Sequence, residues 1–548
     1  MSLKKEVYQA FEDIVGSDYI SDEPAILNSY RFHWLAEFLN PERKRITPVS
    51  AEAVLLPATV EEVQAIVKIC NKYGVKMKPV SGGWGAWNAV LNEGAVQLDL
   101  RRMDHILDLD EKNMFAVVEP YVMGAELQAE AMKKGLNCHL IGAGGVCSVI
   151  ATSACFLGAS PNGMYMSHGP DNLLAVEWVT PTGEVVRTGS RGCGKGWFCS
   201  EGPGPSMRGV IRGHAGTLGS FGVVTKIGIK LHPWPGPAVY PITGKVPAYS
   251  TSLPGNFRAH TVQFPSEQAI ADSLYKIYDA RIGYVIHRQF NFYGDELQAA
   301  MIKIFSDSNL SLDNLEELLA DSEVQKLTQE MKSAYQIVLA GNSIGDIEWQ
   351  ENALDEILAE TGGKKVAALD TPFWEQFTLH FLLKLSTKNT NFLYTGSFLG
   401  IMGPVGSPDS IVPTIQPGVD INRKYMSQEN SRIANTGANA FMGTLGYLGG
   451  GSSAYQEQFF FHDPADPTSV QQGLEVVGVA GAAVAQNKWP PSPYSGYFLT
   501  GFLPRPVQDM AYGMDPQPQA YVWQGQIREI FDPNNIGEKG YTYLEKKK

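Results

Sequence analysis

The sequence predicts an α+β protein of two or three domains, on three observations. Its 548 residues exceed the size at which one hydrophobic core keeps growing. From residue 53 to residue 235, short apolar strands are interleaved with amphipathic helical stretches. Beyond Pro233-Trp-Pro235 the texture shifts to longer helical stretches and glycine-rich aromatic segments, which marks a second domain of different architecture.

Residues 5–30 read as a charged amphipathic helix followed by a polar turn. Ala53-Val-Leu-Leu-Pro57 is a short apolar strand. Thr59 then caps a helix with an acidic first turn and apolar residues at helical spacing up to Cys70, and Gly74 ends it. Met77-Lys-Pro-Val80 is a strand running into Ser81-Gly-Gly-Trp-Gly-Ala-Trp-Asn88, whose glycines let a backbone approach something closely. Strands follow at 95–100, 105–109 and 115–120, then a helix from Gly124 to Lys134. Pro181-Thr-Gly183 joins two strands as a hairpin, and Gly222 opens a long strand to His232. Further on, helices are predicted over Leu315–Ser333, Trp349–Thr361 and Tyr521–Phe531.

Composition excludes several classes of function. A net charge of −13 and a pI near 5.3 argue against a phosphate-tracking surface, so nucleic acid is not an expected partner. Lys546-Lys547-Lys548 is the one basic cluster of note and reads as a solvated tail. The polar Met1-Ser-Leu-Lys-Lys-Glu6 start has no apolar leader, and no stretch reaches the ~18 apolar residues of a membrane span. A cytoplasmic location is the expectation. Cys70, Cys138, Cys147, Cys155, Cys193 and Cys199 show neither a disulfide framework nor the short gap of a zinc or iron–sulfur site, so no metal is expected. Charged residues are only 18%, with 56 glycines and 33 prolines, the profile of a loop-rich enzyme.

A strand entering a glycine-rich loop, as at Val80-Ser81, is a candidate phosphate cradle, because backbone N–H groups bind a diphosphate without a cationic side chain. The order of signals goes further. Pro57-Ala-Thr-Val-Glu-Glu-Val-Gln-Ala-Ile-Val67, Ser81-Gly-Gly-Trp-Gly85, Asp171-Asn-Leu-Leu-Ala-Val-Glu177, Thr182-Gly-Glu-Val-Val-Arg-Thr-Gly189, Gly216-Thr-Leu-Gly219 and Asp532-Pro-Asn-Asn-Ile536 follow one another along the chain. As an ordered set this resembles the FAD-binding flavoproteins of the vanillyl-alcohol oxidase and p-cresol methylhydroxylase type, which also include glycolate-oxidase-like D-2-hydroxyacid dehydrogenases.

The resemblance implies a lead-in over 1–50 and a two-subdomain FAD-binding domain over 51–238. It also implies an α+β substrate-binding cap over 239–495, and a segment 496–548 returning to the FAD domain. FAD is the implied cofactor. The implied contacts are Pro79, Ser81, Gly82, Gly83, Trp84, Gly85, Asn88, Ala89, Gly145, Cys147, Ser148, Thr152, Asp171, Gly219, Gly222, Val223, Val224 and Asn535. Trp84 stands where bicovalent relatives carry a flavin-linking histidine, which excludes attachment there. Cys147 matches their second attachment point and also suits a buried pocket wall, while His380, Tyr394 and His462 are the alternatives in the cap.

The implied chemistry is hydride transfer from an alcohol or aromatic-activated C–H to flavin N5, with electrons passed to an external acceptor. Candidate bases are His380, His462, Tyr394 and, if burial raises its pKa, Glu457. The Gly-His-x-Gly motif of the hydroxyacid branch is not found in the cap, since the sole Gly-His pair, Gly213-His214, lies in the expected flavin domain and His260, His287, His380 and His462 stand isolated. Phe392, Tyr394, Phe398, Tyr447, Tyr455 and Phe459 to Phe461 could line an aromatic pocket, although such clusters are more often ordinary core. The phenol branch's Tyr-Arg pair is not evident, as Tyr494 and Tyr497 lack the arginine. Expected partners are a small-molecule substrate, a redox acceptor and a second copy of the chain. A D-2-hydroxyacid dehydrogenase and a non-catalytic flavin-binding electron-transfer subunit are the alternatives.

Overall fold

In a computed structural model the structure describes residues 3–31, 49–82, 88–90, 92–140, 145–155, 160–190, 194, 196–197, 208–211, 221–245, 248–287, 295–307, 309–383, 398–412, 417, 420–421, 424–425, 427–434, 441–444, 454–463, 466–486 and 520–538. The chain forms two compact units. The first comprises Met1–Gly158, Gly169–Pro233 and Pro493–Lys548, and the second Ala159–His168 and Trp234–Ser492.

The first unit opens with α1 (Lys5–Val15), which ends where Gly16 turns to φ 87; the lead-in is thus shorter than one long helix. β1 (Ile20–Ser21) and α2 (Pro24–Ser29) follow. Next come β2 (Val54–Leu55), α3 (Val60–Tyr73), β3 (Lys76–Val80) and β4 (Ala95–Asp99). The Thr59 hydroxyl accepts from the Glu62 N–H and Gly74 closes α3 in the left-handed region, as the sequence predicts. The sheet order is β1-β2-β4-β3, parallel among β2, β4 and β3. One sheet face packs on α1 and α3 through Phe11, Val63, Val67, Met77 and Leu98.

A second, antiparallel sheet has the order β5-β6-β10-β8-β9. Its strands are β5 (Ile106–Asp110), β6 (Phe115–Val118), β8 (Leu173–Val179), β9 (Val185–Arg187) and β10 (Val223–Lys230). The β8–β9 hairpin turns through Gly183 at φ 84. Between them lie α4 (Gly124–Met132) and β7 (Leu136–Asn137), the latter paired with β11 (His232–Pro233).

The C-terminal helix Ala520–Phe531 places Phe531 against Trp178, with ring centroids 5.2 Å apart. The chain then turns through Asn535 at φ 53 and pairs Gly537 in parallel with Met77 of β3.

In the second unit, the antiparallel strands Val285–His287, Ala334–Ala340, Phe257–Gln263 and Lys364–Lys365 carry the helices Glu267–Asp279 and Ile344–Thr361 over one core. The predicted helix 315–333 is two helices, Leu315–Ala320 and Ser322–Lys332, because the Asp321 carboxylate accepts from the Glu323 and Val324 N–H groups and starts a new one. The helix predicted from Trp349 begins at Ile344 with Ser343 as its cap. A further sheet joins Phe398–Gly406, Ala454–His462, Ile433–Ala434 and Phe441–Thr444, followed by the helix Pro467–Gln486. Among the described residues no helix is long and apolar enough to cross a membrane.

Candidate functional site

The parallel strands β2, β4 and β3 all point their carboxyl ends the same way, and ligands of such sheets bind outside those ends. A cleft of about 550 Å³ lies there, lined by Val80, Ser81, Gly82 and Asn88 on one side and by Tyr30, Asp99, Arg101 and Tyr121 among others. Ser81, Gly82 and Asn88 flank the glycine-rich segment, whose Gly83, Trp84 and Gly85 lie outside the described residues. A Cβ on Gly82 would stand 3.0 Å from the end of the Met123 side chain and 3.4 Å from the Val146 carbonyl oxygen, so the chain here runs beside Met123 and the 145–148 turn.

That turn is internally hydrogen-bonded. The Gly145 and Cys147 carbonyls accept from the Ala125 and Gly124 N–H groups, at 2.8 and 2.9 Å. Ser148 donates from its hydroxyl to the Pro120 carbonyl at 2.6 Å, and Thr152 donates to the Ser148 carbonyl at 3.1 Å. Cys147 is buried, which pushes its thiol well above the usual range and leaves it without thiolate character.

The sheet face opposite the α1–α3 core is polar yet dry. Lys78 is 2% exposed, and burial drives its ammonium down to about 8 despite the attraction of Glu538. Gln97 beside it donates from Nε2 to the Lys78 carbonyl at 3.0 Å, while its Oε1 is buried with no hydrogen-bond partner among the described residues. The Glu538 carboxylate, fully buried, accepts from the Asn92 N–H and side-chain amide at 3.1 Å. A cleft floored by Gly82, which leaves the backbone bare, and edged by polar Ser81, Asn88, Asp99 and Arg101 suits a large polar cofactor.

The other sequence-predicted positions distribute as follows. Pro79 sits in β3 opposite Leu98, and Ala89 is buried. Asp171 lies in the short turn Gly169–Asn172 before β8. Gly222, Val223 and Val224 open β10, where a Cβ on Gly222 would meet the Val179 carbonyl oxygen at 2.1 Å. Asn535 accepts from Arg528 at 3.2 Å and forms the C-terminal turn. Gly219 and Tyr394 lie outside the described residues.

In the second unit, His380 is buried on the helix Pro372–Leu383 with the Tyr240 ring 6.0 Å away, and Tyr240 donates to the Leu379 carbonyl at 3.0 Å. His462 is fully buried and pairs with Ile433, while Glu457 of the same strand pairs with Met402 and Met442. Sequence reading missed Tyr30, Lys78, Gln97, Asp99, Arg101 and Glu538. Asp99-Leu-Arg101 was findable as the polar end of an otherwise apolar strand.

Residues 51–189 match the family model of a FAD binding domain. An uncharacterised FAD-linked oxidoreductase of Mycobacterium tuberculosis is 30% identical over 232 residues, 42% of this chain and 46% of that protein. The 4-cresol dehydrogenase flavoprotein subunit of Pseudomonas putida is 29% identical over 245 residues, 41% and 42% of the two chains. The match thus spans less than half the length of these relatives. A crystal structure of p-cresol methylhydroxylase with substrate bound superimposes with a TM-score of 0.71, covering 98% of this chain and 96% of that one at 16% identity. At that identity the likeness is one of fold.

Proposed function

We propose that this chain, which carries a FAD-binding domain within a fold of the p-cresol methylhydroxylase type, is a FAD-dependent oxidoreductase acting on CH–OH or activated CH groups of a small organic substrate. The observation that carries the reading is the coincidence of the matched FAD-binding stretch with a cleft at the carboxyl ends of parallel strands, where Ser81, Gly82 and Asn88 meet.

The flavin, when bound, supplies the hydride-accepting atom and the route for electrons to an external acceptor. The chain's own task is to hold and orient. Ser81, Gly82 and Asn88 offer backbone and short polar groups to the diphosphate. Cys147, buried within the 145–148 turn, serves in this reading as packing behind Gly82. His380 or His462 takes the substrate proton, since an imidazole ring nitrogen can act as a general base. The substrate is an alcohol or alkyl-substituted aromatic, a choice supported by the lack of a Gly-His-x-Gly motif in the sequence of the cap, the one such run being Gly213-His214-Ala215-Gly216 of the first unit. A cytoplasmic location, a protein or small-molecule electron acceptor and a homo-oligomer belong to the same proposal.

The test is a visible spectrum and FAD stoichiometry of the purified protein, followed by aromatic alcohols, alkylphenols and 2-hydroxyacids screened with an artificial acceptor. A folded, colourless protein that takes up no FAD defeats the reading. Turnover of hydroxyacids alone replaces the substrate class.

A further inference from the structure

One wall of the cleft comes from the N-terminal lead-in, whose β1 edges the parallel sheet. Tyr19, Ile20, Ser21, Ile26, Ser29 and Tyr30, all from the N-terminal lead-in, face the side that Ser81, Gly82 and Asn88 occupy. This stretch is fastened at both ends. At its start Ile20 pairs with Leu55, the Leu56 N–H donates to the Tyr19 carbonyl at 2.9 Å, and the Arg102 guanidinium lies 3.5 Å from the Tyr19 ring centroid. At its end the Tyr30 hydroxyl donates to Asp99 Oδ2 at 2.6 Å. Between the two fastenings runs α2, none of whose residues is buried.

The second fastening is the more informative. The Asp99 side chain is 3% exposed, and such a carboxylate requires compensation. Arg101 supplies it, donating from Nε to Oδ2 at 2.8 Å, from its backbone N–H to Oδ1 at 2.9 Å, and from Nη2 to the Tyr30 hydroxyl at 3.0 Å. The guanidinium is nonetheless half exposed, and it is the one cation among the described residues that line the cleft. Its fork is therefore held rigidly on the Asp99 side and open on the cleft side, the arrangement that suits a phosphate oxygen.

The geometry points to the segment Ser17–Tyr30 as a retaining strap for the bound dinucleotide, latched by Tyr30 onto Asp99, with Arg101 as the positioning cation that faces its diphosphate. This rests on the FAD reading above. A strap anchored by β1 and latched at Tyr30 slows departure of the cofactor while the latch is closed, and the latch is the hydrogen bond from the Tyr30 hydroxyl to a buried carboxylate, backed by Arg101. Such a bond weighs enough to change an opening equilibrium on the order of tenfold.

The experiment uses the FAD-loaded full chain. FAD release is followed by the rise in flavin fluorescence after dilution, in wild type, Tyr30→Phe and Arg101→Gln. Amide hydrogen exchange over residues 17–30 is compared with and without FAD. Both variants release FAD faster, Tyr30→Phe on the order of tenfold, and bound FAD slows exchange across the strap in wild type. A Tyr30 that only tidies the fold would leave strap exchange indifferent to FAD, and that result overturns the proposal. So does wild-type release from both variants. If Tyr30→Phe fails to fold, Arg101→Gln decides alone, since its side chain is half exposed. A wild type that binds no FAD overturns the cofactor reading and the strap together, whereas FAD binding with indifferent variants overturns the strap only.

Discussion

Met77 in β3 accepts a hydrogen bond from the Glu538 N–H at 2.9 Å, so the strand that leads into the glycine-rich segment is edged by the last described residues of the chain. The return bond, from the Met77 N–H to the Ile536 carbonyl, is 2.8 Å. What aims this segment at β3 is Asp532, whose buried carboxylate accepts from the Ile536 and Gly537 N–H groups at 2.9 Å each.

Asp532→Ala removes both acceptors and leaves two buried N–H groups and Arg528 short of a partner. Hydrogen bonds to a charged group weigh ~1.5–3 kcal/mol each, and the expected loss of stability is about 2–4 kcal/mol. Urea unfolding checks it. A loss below ~0.5 kcal/mol, the size of an ordinary surface change, would show that the return is held elsewhere.

Gly222→Ala is expected to be worse tolerated than its size suggests. Gly222 has φ +88, and its Cβ would lie 2.1 Å from the Val179 carbonyl oxygen in the neighbouring strand. Both strain and overlap act, so the β8–β10 register must give way, at ~3 kcal/mol or more. Soluble yield and thermal midpoint of the apoprotein report this. A wild-type midpoint would mean that the glycine is there for the cofactor and not for the sheet.

Lys78 gives a pH signature. Its buried ammonium titrates at about 8 in the folded chain, against about 10.4 in an unfolded one. Between these values the unfolded chain binds more protons, so this group makes stability rise with pH, by up to ~1.4 kcal/mol per pH unit. Its penalty is complete below the lower value and gone above the upper one. Buried phenols such as Tyr335, which burial pushes up, act in the opposite direction in any variant. The readout is therefore a difference: wild type minus Lys78→Met should gain stability from pH 8 to pH 10. A flat difference means that Lys78 is solvated.

Local signals carried most of what the sequence revealed. Thr59 and Gly74 bracket α3 because capping is settled within a turn of the cap, and Pro181-Thr-Gly183 makes its hairpin for the same reason. Asp321 escaped because helical periodicity runs through the break it caps. Lys78 reads as a solvated residue of a short strand, yet it is buried, and burial set by parts of the chain distant in sequence leaves no local signal. Likewise the Tyr30–Asp99 bond spans 69 residues, and no periodicity or motif registers such a pairing. The glycine-rich segment was legible as a motif, but the strap facing Ser81 and Gly82 was not, since it is assembled from parts of the chain that look like an unremarkable lead-in.

Gly82→Val tests whether the described edge of the glycine-rich segment serves the cofactor. Gly82 is not in the left-handed region, so its absent side chain is not required by φ, and the relevant constraint is space. A bare Cβ meets only the movable end of Met123 and, at an ordinary 3.4 Å, the Val146 carbonyl oxygen. Alanine is therefore accommodated by a shift of Met123. Valine adds two methyl groups that must either displace the Val146 carbonyl or protrude into the cleft that Gly82 lines. In the first case the 145–148 turn moves, and the apoprotein is destabilised by about 1–3 kcal/mol. In the second the apoprotein is nearly unchanged, while FAD affinity falls by at least about tenfold as the diphosphate loses its approach to the backbone. In the second case holoprotein stability falls further than apoprotein stability, because a ligand that binds only the folded state contributes RT ln(1 + [L]/Kd) and that contribution shrinks as Kd rises. Thermal midpoints of Gly82→Ala and Gly82→Val, each with and without saturating FAD, separate these outcomes. An unchanged FAD-induced shift in Gly82→Val would show that this glycine makes a turn and nothing more.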